Sequence, residues 1–482
     1  MKYKRRRALE VPPKIRTVIK GITSFPLDRI EEKLKGFVWD FDKGDFHHWL
    51  DLFNHFESFF EKYIKPRKDL QLVDEFLGAD PPFPRNTVLQ ILRVTQSILE
   101  NCSNKHLYSS YEQHLSCLLA STCVDVVEAT LQTLTAFLKK PLGKCLVRDT
   151  TLTSRLFSFA QGWGSKEEGL GLIDCSLNNG CDPIATEVAS TLLFEFYTVP
   201  DSAKGSVDAE HMNQGLQVIH LPKIFKCPES DLELLDKLVK EHSVPYDLRF
   251  SLLTRLRFAR AFSSLAARHQ YVCIRLYAFI VLVQTSTEAD DLTVFFNNEP
   301  EFIGELVSLL SHEAEVPERI RILGISSLVA LCQDRSRQTT VLTSVTSGGH
   351  SGILLSLMQK TVDYITSGSG VVSIAFAEAL LSLASVLVSS TPGSLALHEA
   401  GYISTILPLL KDTEPEHLQL VSTAVHVVEG FLDFNNPTAA LFRDLGGLDD
   451  TISRLKVEVS YVENISKRNA EEVPLIARET NC

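Results

Sequence analysis

The fold is decided by a stretch that occurs twice, first as FIGELVSLL at residues 302–310 and again as YISTILPLL at residues 402–410. A looser copy, GILLSL, lies halfway between them at residues 352–357. Gly447-Leu448 begins a fourth copy. The C-terminal half of the chain therefore contains a repeat of about 45–50 residues.

Each copy continues into a second apolar segment, because residues 320–331 align without a gap with residues 420–431. A pair of short helices cannot bury its own apolar faces, so neighbouring copies must stack into a continuous core. Gly324 and Ala424 occupy the same place in two copies, where a small residue lets helices pack closely. A period of about 40–47 residues is typical of armadillo and HEAT units. The sequence thus predicts an all-α fold, a right-handed armadillo/HEAT-like α-solenoid.

Apolar spacing also predicts individual helices outside this repeat. Apolar residues recur on one helical face from 46 to 64, and Asp45 is placed to cap the start of that helix. A second helix is predicted over 124–138, where Pro141 prevents continuation. The stretch 371–388 has few polar residues and is predicted to be an inner helix.

These patterns suggest five segments along the chain. The sequence predicts a basic N-terminal segment (1–20), degenerate helical repeats (21–200), a loop-rich insertion (201–230), armadillo-like repeats (231–456) and a polar C-terminal tail (457–482).

Charge and composition exclude several classes of protein. The 482 residues include 48 Lys and Arg against 60 Asp and Glu, and the acidic body disfavours binding to nucleic acid. The longest apolar run, 276–283, is far shorter than the ~20 residues of a membrane helix. The 10 cysteines form no Cys-x-x-Cys pair, as expected of free thiols in a reducing compartment. We therefore expect a soluble protein of the cytoplasm or nucleus that binds neither nucleic acid nor membrane.

Two stretches approach metal-binding motifs without completing them. Residues 398–402 read HEAGY, so Tyr402 stands where a zinc-protease helix needs its second histidine. Residues 40–45 read DFDKGD, and Asp45 stands where a calcium loop needs glycine. We expect no metal site and interpret these carboxylates as helix caps.

Other candidate residues also fail to form a chemical site. The glycine pairs at 162–164 and 169–171 lack the spacing and the preceding strand of a dinucleotide loop. His47, His48 and His55 cannot converge on one ligand from a single helix. The sequence therefore predicts no catalytic residue and no cofactor.

The N-terminal segment is strongly basic. Eight of the first twenty residues are Lys or Arg, and Lys4, Arg5, Arg6 and Arg7 are consecutive. Three interpretations remain open: a nuclear-import signal read by an acidic groove, a contact with an anionic membrane, and an ordinary solvated terminus. We name these four residues as a candidate nuclear-import signal.

Three segments resemble a known family. They are KRRRALEVPPKI at 4–15, LKGFVWDFDKGDFHHW at 34–49 and GWGSKEEGLGL at 162–172. They resemble the N-terminal region of giant HECT-type E3 ubiquitin ligases, in the plant ubiquitin-protein ligase branch and its HUWE-like animal relatives. The resemblance covers most of the chain.

The resemblance implies a role in the ubiquitin–proteasome pathway. In the family, a helical-repeat arm is followed by ubiquitin-binding segments and a HECT domain whose cysteine accepts ubiquitin. Cys482 follows a polar stretch, so we carry no thioester role to it and expect this chain to be no enzyme by itself.

The leading hypothesis is a non-catalytic arm that recruits protein substrates for HECT-type ubiquitin ligation and contacts other parts of the ligase. The alternative is an armadillo-type adaptor in nuclear transport or signalling. Stacked helical repeats bind many kinds of protein, so the fold alone does not separate the two hypotheses.

Overall fold

The structure is a computed structural model that divides the chain into two compact units. The N-terminal unit is Met1–Pro300 and the C-terminal unit is Glu301–Cys482. The structure describes residues 11–41, 44–63, 84–103, 109–121, 123–138, 150–160, 265–286, 289–311, 316–347, 352–368, 373–434 and 436–472.

The described part of the N-terminal unit is almost entirely helical. Its helices are α1 (Pro13–Thr23), α2 (Ile30–Lys35), α3 (Leu50–Tyr63), α4 (Arg85–Asn101), α5 (Ser109–Leu118), α6 (Val124–Leu138), α7 (Thr150–Ala160), α8 (Leu265–Thr285) and α9 (Ala289–Asn298). Short 3₁₀ turns at Leu27–Arg29 and Phe46–Trp49 lead into α2 and α3. Two short strands, β1 (Gly44–Asp45) and β2 (Cys102–Ser103), pair in parallel. The sequence patterns gave no sign of this strand pair.

Aromatic side chains fill the core of the N-terminal unit. Helix α3 packs against α1 and α5, and α8 packs against α6 and α7. The ring of Phe46 lies 4.8 Å from that of Phe53, and the ring of Phe60 lies 5.7 Å from that of Tyr111, both edge to face. Trp49 is completely buried. This edge-to-face packing suits the charge distribution of aromatic rings and adds to the free energy gained by their burial.

Two sequence predictions in this unit are confirmed. A helical turn begins at Phe46, and the Asp45 carboxylate accepts a hydrogen bond of 2.9 Å from the backbone N–H of His47. Asp45 therefore caps the helix, as expected of an aspartate at this place. Helix α6 spans the predicted residues, Val124–Leu138.

The C-terminal unit is a succession of short helices. They are α10 (Phe302–Leu309), α11 (Glu318–Leu331), α12 (Arg335–Thr346), α13 (Gly352–Ser367), α14 (Ile374–Val388), α15 (Thr391–Glu399), α16 (Tyr402–Ile406), α17 (Leu418–Phe434), α18 (Asn436–Asp444) and α19 (Gly447–Glu472). Helix α16 continues as a 3₁₀ turn, Leu407–Lys411, and a second turn, Pro415–His417, precedes α17. Helix α19 extends into the segment predicted to be a polar tail.

Equivalent helices stack on each other three helices further along the chain. We call α12, α15 and α18 first helices, α10, α13, α16 and α19 second helices, and α11, α14 and α17 third helices. Among the third helices, α11 packs against α14 and α14 packs against α17. The first helix α12 packs against α15, and the second helix α13 packs against α16. The sequence repeat thus corresponds to a three-helix unit, which corrects the predicted pair of helices: the helices Arg335–Thr346 and Thr391–Glu399 were not foreseen.

The start of α14 corrects one sequence prediction. The helix predicted over 371–388 begins instead at Ile374. The Ser373 hydroxyl accepts a hydrogen bond of 3.2 Å from the backbone N–H of Phe376, which caps the helix at that point. The later start therefore has a local cause in the side chain of Ser373.

The predicted all-α class is confirmed, since the described residues are mostly helical. The predicted insertion at 201–230 lies outside the described residues, so its boundaries stay predictions. Within the described ranges, no helix has the length and apolar character needed to cross a membrane.

Candidate interaction surface

The third helices leave one row of side chains uncovered, which we call the open face. Successive positions on each helix are spaced by three or four residues, so they share one side. Its residues are Arg319, Ile322, Ser326 and Val329 on α11, Ala375, Glu378, Ser382 and Ser385 on α14, and Gln419, Ser422, His426 and Glu429 on α17. All are exposed or partly exposed. Because these helices stack side by side, the open face crosses several repeats.

Hydroxyl groups in the middle of the open face are satisfied by their own helices. The Ser326 hydroxyl donates to the Ile322 carbonyl at 2.8 Å, and the Ser382 hydroxyl donates to the Glu378 carbonyl at 2.8 Å. Such bonds to the preceding turn are common for serine within a helix. These two serines therefore keep the middle of the open face polar without leaving their hydroxyl protons unpaired.

Charge changes along the open face. Arg319 lies on α11, whereas Glu378 lies on α14 and Glu429 lies on α17. The His426 Nδ1 lies 3.2 Å from the Glu429 Oε2, and each of these two side chains is 66% exposed. A polar contact this exposed contributes little to stability, so both side chains are accessible to a partner. The α14–α17 part of the surface suits a basic or hydroxyl-bearing ligand.

Two titratable groups of the C-terminal unit, Cys332 and Tyr402, are buried in its core. Burial raises the pKa of the Cys332 thiol to about 12, so this cysteine is a poor nucleophile at neutral pH. Burial also raises the pKa of the Tyr402 hydroxyl. Both side chains contribute to packing between the helices.

The two stretches that approach metal-binding motifs make ordinary structural contacts. In the HEAGY stretch, the His398 Nδ1 lies 2.8 Å from the Thr438 hydroxyl, at the end of α15. In the DFDKGD stretch, Asp45 caps a helical turn and its Oδ1 also lies 2.8 Å from the His47 Nδ1. Among the residues that the structure describes, no group of three His, Cys, Asp or Glu side chains could hold a metal ion.

Other sequence-predicted sites lie outside the described residues. They include the candidate import signal, Lys4, Arg5, Arg6 and Arg7, and both glycine pairs of 162–171. The import signal therefore stays a prediction. Sequence reasoning missed the open face altogether. The aligned copies have polar residues, such as Ser326 and His426, at positions between the apolar ones. These polar positions could have indicated an exposed side shared by the repeated helices.

Comparison with known proteins places the chain in a family. The family model described as Domain of Unknown Function (DUF908) matches residues 84–167 and 183–363. The E3 ubiquitin-protein ligases UPL1 and UPL2 of Arabidopsis thaliana are each 61% identical over 464 residues, 96% of this chain and 12% of the relative. The E3 ubiquitin-protein ligase HUWE1 of Mus musculus is 29% identical over 435 residues, 88% of this chain and 10% of the relative.

The predicted resemblance to E3 ubiquitin ligases is thereby confirmed. The chain spans about an eighth of the length of its plant relatives. Since the family model covers more than half of the residues, this chain belongs to the family of the Domain of Unknown Function (DUF908).

Proposed function

We propose that this chain is a protein-interaction arm that recruits substrates for ubiquitin ligation of the HECT type. The observation that carries the proposal is the 61% identity to E3 ubiquitin-protein ligases, which extends over 96% of the chain. The stacked helices support it further, because they expose a surface that crosses several repeats. We propose that the units form an armadillo-like right-handed solenoid, that the chain is non-catalytic, and that it acts in the cytoplasm, the nucleus or both.

The spacing of the open face fits an extended peptide. Packed helices lie about 8–10 Å apart, and an extended chain advances about 3.3 Å per residue. A bound extended segment would therefore advance by roughly three residues from one third helix to the next. The acidic groups Glu378 and Glu429 favour a segment with basic or hydroxyl side chains.

Competition with a complete ligase tests the proposal. Residues 1–482 are added to a ubiquitination assay with Arabidopsis thaliana UPL1 and a protein that this ligase modifies. We expect the chain to reduce substrate modification without reducing ubiquitin loading of UPL1, because it sequesters substrate. Loading is measured as a thiol-sensitive ubiquitin adduct on the ligase.

Variants locate the interaction on the open face. Replacing Ser382→Arg and Ser422→Arg adds bulk and like charge where a basic segment would bind, so we expect competition to be lost. The matched control, Gln359→Arg with Thr339→Arg, places the same side chains at exposed sites on α13 and α12. Unchanged competition by the open-face variant would contradict substrate binding there. A thiol-sensitive ubiquitin adduct on the 1–482 chain itself would contradict a non-catalytic role.

The basic N-terminal segment has a separate test. We propose that Lys4, Arg5, Arg6 and Arg7 form a nuclear-import signal. A fluorescent fusion of the chain should then lose nuclear accumulation when all four residues are replaced by alanine. Equal distribution of both fusions would contradict this role. Stoichiometric capture of import receptors, without ubiquitin-pathway substrates, would instead favour the transport-adaptor alternative.

A further inference from the structure

The last third helix and the last second helix expose large apolar side chains, which we call the end face. On α17 the exposed residues are spaced by seven, and on α19 they are spaced alternately by four and three, so each set lies on one side of its helix. The residues of this row are Leu418, Val425 and Leu432 on α17, and Leu448, Ile452, Leu455, Val459 and Val462 on α19, whereas Val457 and Tyr461 are exposed on other sides of α19. A row of this kind marks an interaction site more often than scattered apolar residues do.

The same repeat positions are buried on the other third helices. Val425 is 39% exposed, whereas its equivalents are both 0% exposed: Ile325 on α11 and Leu381 on α14. These two are buried because α14 packs against α11 and α17 packs against α14. Within the described residues, the end face of α17 has no third helix packed against it. Val425 therefore occupies a position that the next third helix covers on α11 and on α14.

The second helices show the same contrast. Gly401 and Gly446 both adopt the left-handed conformation, with φ of 83° and 78°, just before α16 and α19. These two glycines therefore define which residues of the two helices correspond. Ile403 and Leu410 are at most 2% exposed, whereas the aligned Leu448 and Leu455 are 51% and 63% exposed. Positions that are buried on α16 are therefore exposed on α19.

The packing inside the stack indicates what kind of partner fits. Helix α14 packs against α11 before it and against α17 after it, so it meets its two neighbours with different residues. In a dimer formed through two end faces, by contrast, the same side of α17 would contact itself. The surface that matches the end face is instead the leading side of another three-helix unit.

We propose that the end face binds a following helical unit of the same polypeptide in a longer ligase. In this arrangement a new third helix covers Val425 and Leu432 of α17, and it also packs on Leu448 and Leu455 of α19. The length of the relatives supports this occupant, because the matched region is only 12% of the plant ligases. The proposal does not depend on what the open face binds.

Binding in trans tests this proposal. The probe is the segment of Arabidopsis thaliana UPL1 that immediately follows the aligned stretch, long enough for two repeats. Residues 1–482 are titrated with it in a calorimeter, and circular dichroism verifies that both partners are folded. We expect a complex of one chain with one probe. In hydrogen exchange, the amides of α17 and α19 should become slower on binding.

Variants distinguish a loss of end-face contacts from a general weakening of the two helices. Val425→Asp with Leu455→Asp should weaken binding of the probe by at least about tenfold, because each carboxylate would be buried in an apolar contact. The matched control, Thr423→Asp with Ser453→Asp, changes a partly exposed and an exposed residue on other sides of the same two helices and should bind like the parent chain. The control carries the same added charge on the same two helices.

Two results would overturn the proposal. The first is equal binding of the probe by the end-face variant and its control. The second is a doubled mass of the 1–482 chain in light scattering that the end-face variant abolishes and the probe does not displace, since a second copy would then be the occupant. If the folded probe does not bind in trans, the same segment is joined to residue 472. Unchanged exchange of α17 in that fused chain would also refute the proposal.

Discussion

The two units of this protein build their cores in different ways. In the N-terminal unit, aromatic rings from residues 46–60 interlock with Tyr111 and Phe137. In the C-terminal unit, aliphatic side chains at repeated positions fill the space between stacked helices, as at Ile325 and Leu381. Repeated aliphatic packing allows units to be stacked in series, whereas large rings suit an irregular set of helices.

The units also differ in the polar groups that they bury. The N-terminal unit buries charged side chains such as Arg155 and Arg275. The Arg275 Nε donates to the Ala160 carbonyl at 2.8 Å, and its guanidinium lies 3.2 Å from the Glu299 carboxylate. The described part of the C-terminal unit also buries the charged side chain of Arg454, but most of its buried polar groups are uncharged, such as the Ser327 hydroxyl, which donates to the Leu323 carbonyl at 2.9 Å. Buried charge requires specific partners, so the first unit is the less repetitive of the two.

The largest effect is expected from an aromatic residue of the N-terminal unit. Phe60 is completely buried, and its ring contacts Tyr111 and His114 at 5.7 Å in each case. Phe60→Ala should lower the free energy of unfolding by about 3–5 kcal/mol, because it removes a large buried ring and leaves a cavity. Tryptophan fluorescence during urea unfolding measures this loss. All 3 tryptophans of the chain lie within its first 163 residues, so the signal reports on this unit.

A smaller replacement provides the control. Phe60→Leu keeps an apolar side chain at the site, so it should cost clearly less than Phe60→Ala. Equal loss in both variants would mean that ring contacts, rather than buried volume, dominate this core. A loss below about 1 kcal/mol for Phe60→Ala would contradict the description of the aromatic core as tightly packed.

A matched pair of leucines compares the inside and the end of the C-terminal stack. Leu381 is 0% exposed between third helices, whereas Leu432 is 36% exposed on the end face. Leu381→Ala should cost about 2–5 kcal/mol, and Leu432→Ala less than about 1 kcal/mol, although the chemical change is identical. Hydrogen exchange of peptides from α14 and α17 would measure both effects. Equal costs would show that the end face is already covered in the isolated chain.

Sequence reasoning succeeded where the pattern was periodic or local. The repeat at 302–310 and 402–410 predicted a short helix at the start of each copy, and both short helices occur in the structure. The cap at Asp45 and helix Val124–Leu138 followed from local side-chain chemistry. The start of the helix predicted at 371 was wrong by three residues, because a capping serine outweighed the apolar run around it.

The functional surfaces were much harder to predict from the sequence. Ser326, Ser382 and His426 are far apart along the chain and share a surface only because their helices stack. Val425 reads in sequence as one more core residue, since its aligned partner Ile325 is buried. Whether such a residue is covered depends on the neighbouring unit, and its own sequence does not show that neighbour.

The smallest effect is expected from lowering the pH, which should reduce the stability of the N-terminal unit. Partial burial lowers the pKa of His55 on α3 below its usual value of 6.5. The unfolded chain therefore binds a proton at this residue more readily than the folded chain does, so stability should fall as pH decreases through about 6.5. Burial lowers the pKa of His269 on α8 as well, so both groups act in the same direction.

Replacing His55 separates this titration from packing. His55→Gln removes the titrating group, so the fluorescence-detected unfolding midpoint of the variant should decline less than that of the parent between pH 7 and pH 5. At pH 8 the imidazole is neutral in both states, and the difference between variant and parent there measures the change in packing alone. An identical decline in both proteins would show that His55 does not carry the acid sensitivity. The remaining candidate would then be His269, whose pKa burial also lowers.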